Sequence, residues 1–241
     1  MLSICGRVKN LIVTPNGKNV YPEEIESIIN ENEFVINLGT TSLERNFQLS
    51  TSWGGRVQPS KIKKIIGSIR ALGFAKVIEV GFGADLVARK FQELINDPEN
   101  DPMITSDCPA IVQYVEHFHP DLVQNLAPIV SPMVAISRVI RKKYGQDPSL
   151  VFIGPCIGKK AESEEVSVGI TYQELRQLFD EKELDIESVS IDEFDPPRAG
   201  KGGIFPVKRG LLQTMNIPED LFEGQIIVAE GKANFQEAIA E

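Results

Sequence analysis

From residue 59 onward two hydrophobic periods alternate along the chain, and no other feature restricts its fold as strongly. PSKIKKIIGSIRALG (59–73) places Ile62, Ile65, Ile66, Ile69 and Leu72 on one helical face and stops at Gly73. AKVIEVGFG then reads as a short strand and ADLVARKFQELIND as a helix. Ala110 to Phe118 reads as another helix, and VSPMVAISRVIRKKYG as one closed by Gly145. SLVFIGP is an apolar strand ending at a Gly-Pro break, and FVINLGTT, after Glu33, has the pattern of a buried strand. Strands alternating with helices of this length imply crossover connections, and so an α/β fold with mainly parallel sheets flanked by helices. In such sheets, sites form in the loops beyond the carboxyl ends of the strands.

Length and composition narrow the partners. The 241 residues suffice for one large or two modest domains, and 42% hydrophobic residues can fill a core. A net charge of -9 argues against nucleic acid or an anionic membrane as the main partner. The cluster Arg141-Lys142-Lys143 reads as a solvated, dipole-matched helix end. No apolar run approaches the roughly 20 residues needed to span a bilayer, and no signal peptide is evident, so a cytoplasmic location is expected. Three widely spaced cysteines do not make a disulfide framework; in a reducing compartment they stay thiols or metal ligands.

Two of those cysteines sit where chemistry is expected. Cys156 follows the strand VFIG directly, while Cys108 follows PMITS and precedes the helix PAIVQYVEHF. A cysteine at a helix start has its thiolate favoured by free backbone N–H groups and the helix dipole. Both readings, buried structural thiol and metal or cluster ligand, fit these positions. The two are expected to converge because both end strand-like segments at one edge of the same sheet. Lys159 and Lys160 are expected to line the cleft beside Cys156, where positive charge favours a thiolate. Asp107 is expected to cap the helix that starts at Pro109, which would hold it ionised and lower its pKa. His117 and His119 lie at i, i+2 and do not share a helix face. GFGAD (81–85) and GKGG (200–203) complete no phosphate-loop motif and read as glycines shaping a cleft.

TSDCPAIVQYVEHFHPDLVQNLAPIVSPMVAISRVIRKKYG followed by VFIGPCIGKKAE resembles the large-subunit catalytic domain of iron-only hydrogenases. The first two signatures of that family read approximately TSCCP and MPCxxKK, joined by a helix and an SP turn that Ser131-Pro132 matches. GITYQELRQLF resembles the family's TTREL segment, EFDPP its acidic FD-P motif, and ALGFAKVIEVGFGADLVA its LGF-KV-E---GADL stretch; IIVAEGKANFQEAI resembles the strand and helix after its glycine-rich segment. The resemblance implies a two-lobed hydrogenase-like domain over residues 33–241. It implies that Cys108 and Cys156 are ligands of a 4Fe-4S cluster, and that Lys159 or Lys160 supports the subcluster. Asp107 takes the place of the family's proton-shuttling cysteine. Two further cysteines, in a CPGGC-like motif, complete the family's cluster and are not reached by Glu241, so the domain is read as incomplete at its C-terminus.

GRVKNLIVTPNGKNVYPEEIESII is similar to the C-terminal domain of AMP-forming acyl-CoA ligases, with Arg7, Lys9, Gly17 and Glu24 on that family's pattern. Residues 1–32 thus read as a ligase-like strand-turn-helix fragment fused near Glu33 to the hydrogenase-like domain. The expected function is a 4Fe-4S protein in electron transfer or redox sensing, not an active hydrogenase as the chain stands. A ferredoxin-type partner, or a second chain completing the cluster site, would accompany it. A ligase remnant and a cluster-free scaffold are the alternatives.

Overall fold

The computed structural model describes residues 12–13, 19–20, 34–38, 59–97, 102–145, 148–207, 209–217, 226–229 and 231–240. The helix expected from Pro22, and Cys5, lie outside these residues. At the start, β1 (Ile12–Val13) and β2 (Asn19–Val20) form an antiparallel pair, with Ile12 opposite Val20.

Among the described residues the main sheet has four strands in the order β4-β3-β5-β6, all parallel: β3 (Phe34–Leu38), β4 (Lys76–Glu79), β5 (Ser149–Ile153) and β6 (Val168–Ile170). β3 is interior, with Ile36 opposite Val77 on one side and Val151 on the other. The helices are α1 (Pro59–Ala71), α2 (Gly81–Ile95), α3 (Pro109–Phe118), α4 (Pro132–Tyr144), α5 (Tyr172–Glu181), α6 (Gly210–Thr214) and α7 (Gly231–Ala240).

The two-residue period of the strands sorts the core into two faces. Val77, Val151, Ile153 and Ile170 pack with Ile65, Ile66 and Ile69 of α1 and with Leu175, Leu178 and Phe179 of α5. Ile78 and Leu150 pack on the other face against Ile136 and Ile140 of α4, and Phe152 against Met133 and Val134. Helices therefore cover both faces of a parallel sheet, which is why its strands read as unbroken apolar runs. The α1 stripe buries as its spacing predicts, with Ile65, Ile66 and Ile69 no more than 1% exposed. Ser131 starts α4 by accepting the Val134 N–H at 3.5 Å, with Pro132 in the first turn, and Arg141, Lys142 and Lys143 close the helix as expected.

Helix α2 begins at Gly81, earlier than the pattern ADLVARK suggests, because GFG is not loop but first turn. That turn meets the second glycine segment face to face. Asp85 accepts the backbone N–H groups of Gly200 and Gly202, each at 2.6 Å, and Glu79 accepts that of Ala199 at 3.3 Å. A β-carbon on Gly202 would lie 2.0 Å from the Gly81 carbonyl oxygen, so only glycine permits this approach. The glycines expected to shape a cleft instead close against each other.

EFDPP lies along the open edge of β4. The Asp195 N–H donates to the Val77 carbonyl oxygen at 2.7 Å, and the Asp195 carboxylate accepts the Val77 N–H at 2.9 Å. Arg70 pairs with Asp192 and Asp195, Lys63 with Glu193 and Lys64 with Glu187, fastening this acidic segment to α1. Among the described residues, no helix is long and apolar enough to cross a membrane.

Candidate functional site

Cys156 lies just past β5, exposed, at the head of a helical turn (Ile157–Ala161) with φ -98° and ψ 115°. The chain reaches it through Gly154, whose N–H bonds the Ile170 carbonyl of the neighbouring strand at 3.0 Å. Cys108 heads α3 with φ -108° and ψ 112°, half-buried, its carbonyl accepting the first N–H groups of the helix. Pro109 follows it in the first turn, where a missing N–H costs nothing.

Gly158 brings the two together. The point its β-carbon would occupy is 3.3 Å from the Pro109 ring and 3.6 Å from the Cys156 sulfur. Lys159 adds a second link, donating from Nζ to the Asp107 carbonyl oxygen at 2.9 Å. The expected convergence is present, but its cause differs from the expectation. Only Cys156 follows a strand of the main sheet; the segment before Cys108 is held by an isolated Ile104–Leu126 bridge and by Ser106, whose hydroxyl lies 2.8 and 2.6 Å from the Ala127 and Ile129 carbonyl oxygens.

The lysines divide. Lys159 reaches across to Asp107 and also sits 2.5 Å from Glu162 Oε2, outside the angles of a hydrogen bond, with both side chains largely buried. Lys160 turns the other way into a buried ion pair with Glu174. Glu162 and Glu174 do not figure among the sequence expectations. The lysine–glutamate spacing i, i+3 in K159-x-x-E162 and the capping box T171-x-x-E174 were the available signals.

Asp107 corrects its expectation. It does not cap α3: Cys108 holds the N-cap position and no side chain caps the helix. Burial pushes the Asp107 carboxyl above its ordinary value of 3.8, against the opposing pull of its own backbone N–H, the Lys159 charge and a Thr105 hydrogen bond. The shift is opposite in sign to that of a capping carboxylate. His117 and His119 go to separate partners, the Gln113 carbonyl at 2.8 Å and the Tyr114 hydroxyl at 3.4 Å.

The segments that carry Cys108 and Cys156 thus adjoin, with the Lys159 ammonium linking them. No group of three or more His, Cys, Asp or Glu placed to hold a metal ion occurs among the described residues. Two cysteines on adjoining segments, each at the head of a helical segment, are half of the four thiolates that a cubane cluster takes.

Comparison with known proteins bears on the family and the fold. Iron hydrogenase 1 of Clostridium pasteurianum is 30% identical over 174 residues, covering 62% of this chain and 30% of the relative. The NADP-reducing hydrogenase subunit HndD of Solidesulfovibrio fructosivorans is 26% identical over 234 residues, covering 84% of this chain and 39% of the relative. A probable cytosolic Fe-S cluster assembly factor of Caenorhabditis elegans is 31% identical over 134 residues, covering 49% and 28%. A variant of the FeFe-hydrogenase HydA1 from Chlamydomonas reinhardtii superposes with a TM-score of 0.65 at 21% identity, over 88% of this chain and 61% of that one, which shows a shared fold. The chain thus spans only 30% and 39% of the lengths of the two hydrogenase relatives. Residues 42–238 match the family described as iron only hydrogenase large subunit, C-terminal domain, and with most of its length inside that match the chain belongs to this family.

Proposed function

We propose that the protein is a hydrogenase-type iron–sulfur protein in which Cys108 and Cys156 supply two thiolates to one 4Fe-4S cluster. The observation that carries this is the meeting of the two cysteine segments across Gly158. When bound, such a cluster stores and passes single electrons. This chain's residues hold and orient it. Cys108 and Cys156 each stand at the head of a helical segment, and the Lys159 ammonium, bonded to the Asp107 carbonyl oxygen, places a positive charge beside the segment that carries Cys108. Asp107 is the acid group next to the Cys108 ligand, and the remaining ligands come from outside the described residues, including those of a second chain. The role is electron transfer or redox sensing with a ferredoxin-type partner in the cytoplasm, rather than hydrogen turnover by these residues alone.

The division at residue 33 belongs to the same reading. β3 starts at Phe34 and is an integral strand of the main sheet, whereas β1 and β2 pair only with each other among the described residues. The same proposal takes residues 1–32 as a ligase-like fragment joined to this domain.

The test is anaerobic reconstitution with iron and sulfide, followed by iron and acid-labile sulfide analysis and a visible spectrum. Near-stoichiometric cluster that falls sharply in Cys108→Ser and Cys156→Ser supports the reading. Equal iron in the parent and in both variants refutes it. The cluster-loaded chain with a strong reductant should evolve no hydrogen.

A further inference from the structure

We propose that Glu174 is the positioning residue of this site, and that through Lys160 it fixes the turn carrying Cys156 and so the separation of the two thiols. The inference rests on reading Cys108 and Cys156 as ligands of one cluster.

The Lys160 and Glu174 side chains are 6% and 5% exposed. Charges this far from water are held only when paired, so neither can turn away without stranding the other. Glu174 is oriented independently of Lys160. Its Oε2 accepts the Thr171 N–H at 2.6 Å, and Thr171 Oγ1 accepts the Glu174 N–H at 3.2 Å, a reciprocal cap at the head of α5. Helix α5 is in turn locked into the core through Tyr172, Leu175, Leu178 and Phe179. The carboxylate is thus a fixed point, and Oε1 presents it to Lys160.

The backbone of the turn is held at the same place. A β-carbon on Gly169 of β6 would lie 3.2 Å from Lys160 Cα, so the bare glycine lets the turn lie directly on the strand. Its other end is tied by the Gly154 N–H to Ile170. Cys156 sits between those tethers, while Lys159 is left to reach the segment that carries Cys108. One lysine holds the turn to its own layer and the other spans the cleft. Glu174 contacts neither thiol and acts only through this chain of contacts.

The test uses the iron-free chain with Cys5→Ser, which leaves two thiols, and bifunctional thiosulfonate cross-linkers of graded length. Peptide mapping reads the Cys108–Cys156 cross-link. The parent should prefer one reagent length. Glu174→Gln, which keeps a capping side chain but loses the charge, should lose that preference and slow cross-linking at the optimal length by about tenfold, the scale on which small misplacements act on effective molarity. Lys160→Met should do the same. Thr171→Ala, which removes the hydroxyl half of the cap but keeps the backbone N–H that orients the Glu174 carboxylate and keeps the ion pair, should retain the preference at a comparable loss of Tm. If Glu174→Gln does not fold, the charge-free double variant Lys160→Met with Glu174→Leu takes its place, with the same expectation. Parent-like length preference in all variants, or an equal change in Thr171→Ala, overturns the proposal. A parent that cross-links as expected but takes up no cluster sinks the cluster reading and leaves the positioning role standing.

Discussion

Asp85→Ala is the perturbation that best tests how the domain holds its glycine-rich loop. The carboxylate accepts two backbone N–H groups at 2.6 Å, from Gly200 and Gly202. Hydrogen bonds to a charged group contribute about 1.5–3 kcal/mol each, less where solvent competes. Gly200 is exposed and Gly202 buried, which puts the first bond at the low end and the second near the top. Losing both should cost about 3–4 kcal/mol, and since a domain of this size loses about 2–4 °C per kcal/mol, Tm should fall by about 10 °C. Asp85→Asn keeps one acceptor oxygen and should lose about half of this. Urea and thermal unfolding followed by circular dichroism supply the measurement. Asp85→Ala within about 0.5 kcal/mol of the parent, the range of an inconsequential surface change, would refute the clasp.

The Asp107 carboxyl is raised by burial above 3.8, so the stability linked to it is complete below that pH and is lost as pH rises through the higher folded value. Asp107→Asn in the iron-free chain should therefore stabilise at neutral pH and change nothing below about pH 3.8, in denaturant titrations at several pH values. Glu193 is lowered to about 2 by Lys63 and Arg198, so its contribution is present above the ordinary 4.5 and fades as pH falls toward 2; Glu193→Gln should flatten that part of the stability profile, and high salt should do likewise. Ile69→Ala, fully buried between α1 and the sheet, should cost about 2–5 kcal/mol in chemical unfolding with an unchanged denaturant slope.

Much of the scaffold was legible because burial writes a period into sequence. The Ile62–Leu72 stripe, the unbroken apolar run of β5 and the Ser131-Pro132 start of α4 each follow from local rules that the tertiary fold obeys. The positions of Cys108 and Cys156 at helix heads were equally readable, since proline, glycine and strand ends mark such places. What could not be read was which distant groups meet. Nothing local tells Lys159 from Lys160, because their opposite fates depend on Glu174 and Asp107 arriving from other elements. Asp107 differs for the same reason: a carboxylate near a helix start is a cap in isolation, but one residue of offset and burial reverse its titration. Each glycine motif is visible singly in the sequence, and their partnership exists only in three dimensions.

The place of β3 inside the sheet sets the order in which the chain can fold. Its residues 34–38 pair with β4 at 76–79, a partner available early, and with β5 at 149–153, which is made much later. Parallel pairing across so long a stretch of chain carries a loop-closure cost before it returns any contact, which slows folding. During synthesis the β3–β4 pair can assemble while the other side of β3 still presents an unpaired row of backbone donors and acceptors. The interval between the emergence of residue 79 and that of residue 153 is thus the period in which nascent chains are most prone to associate edge to edge.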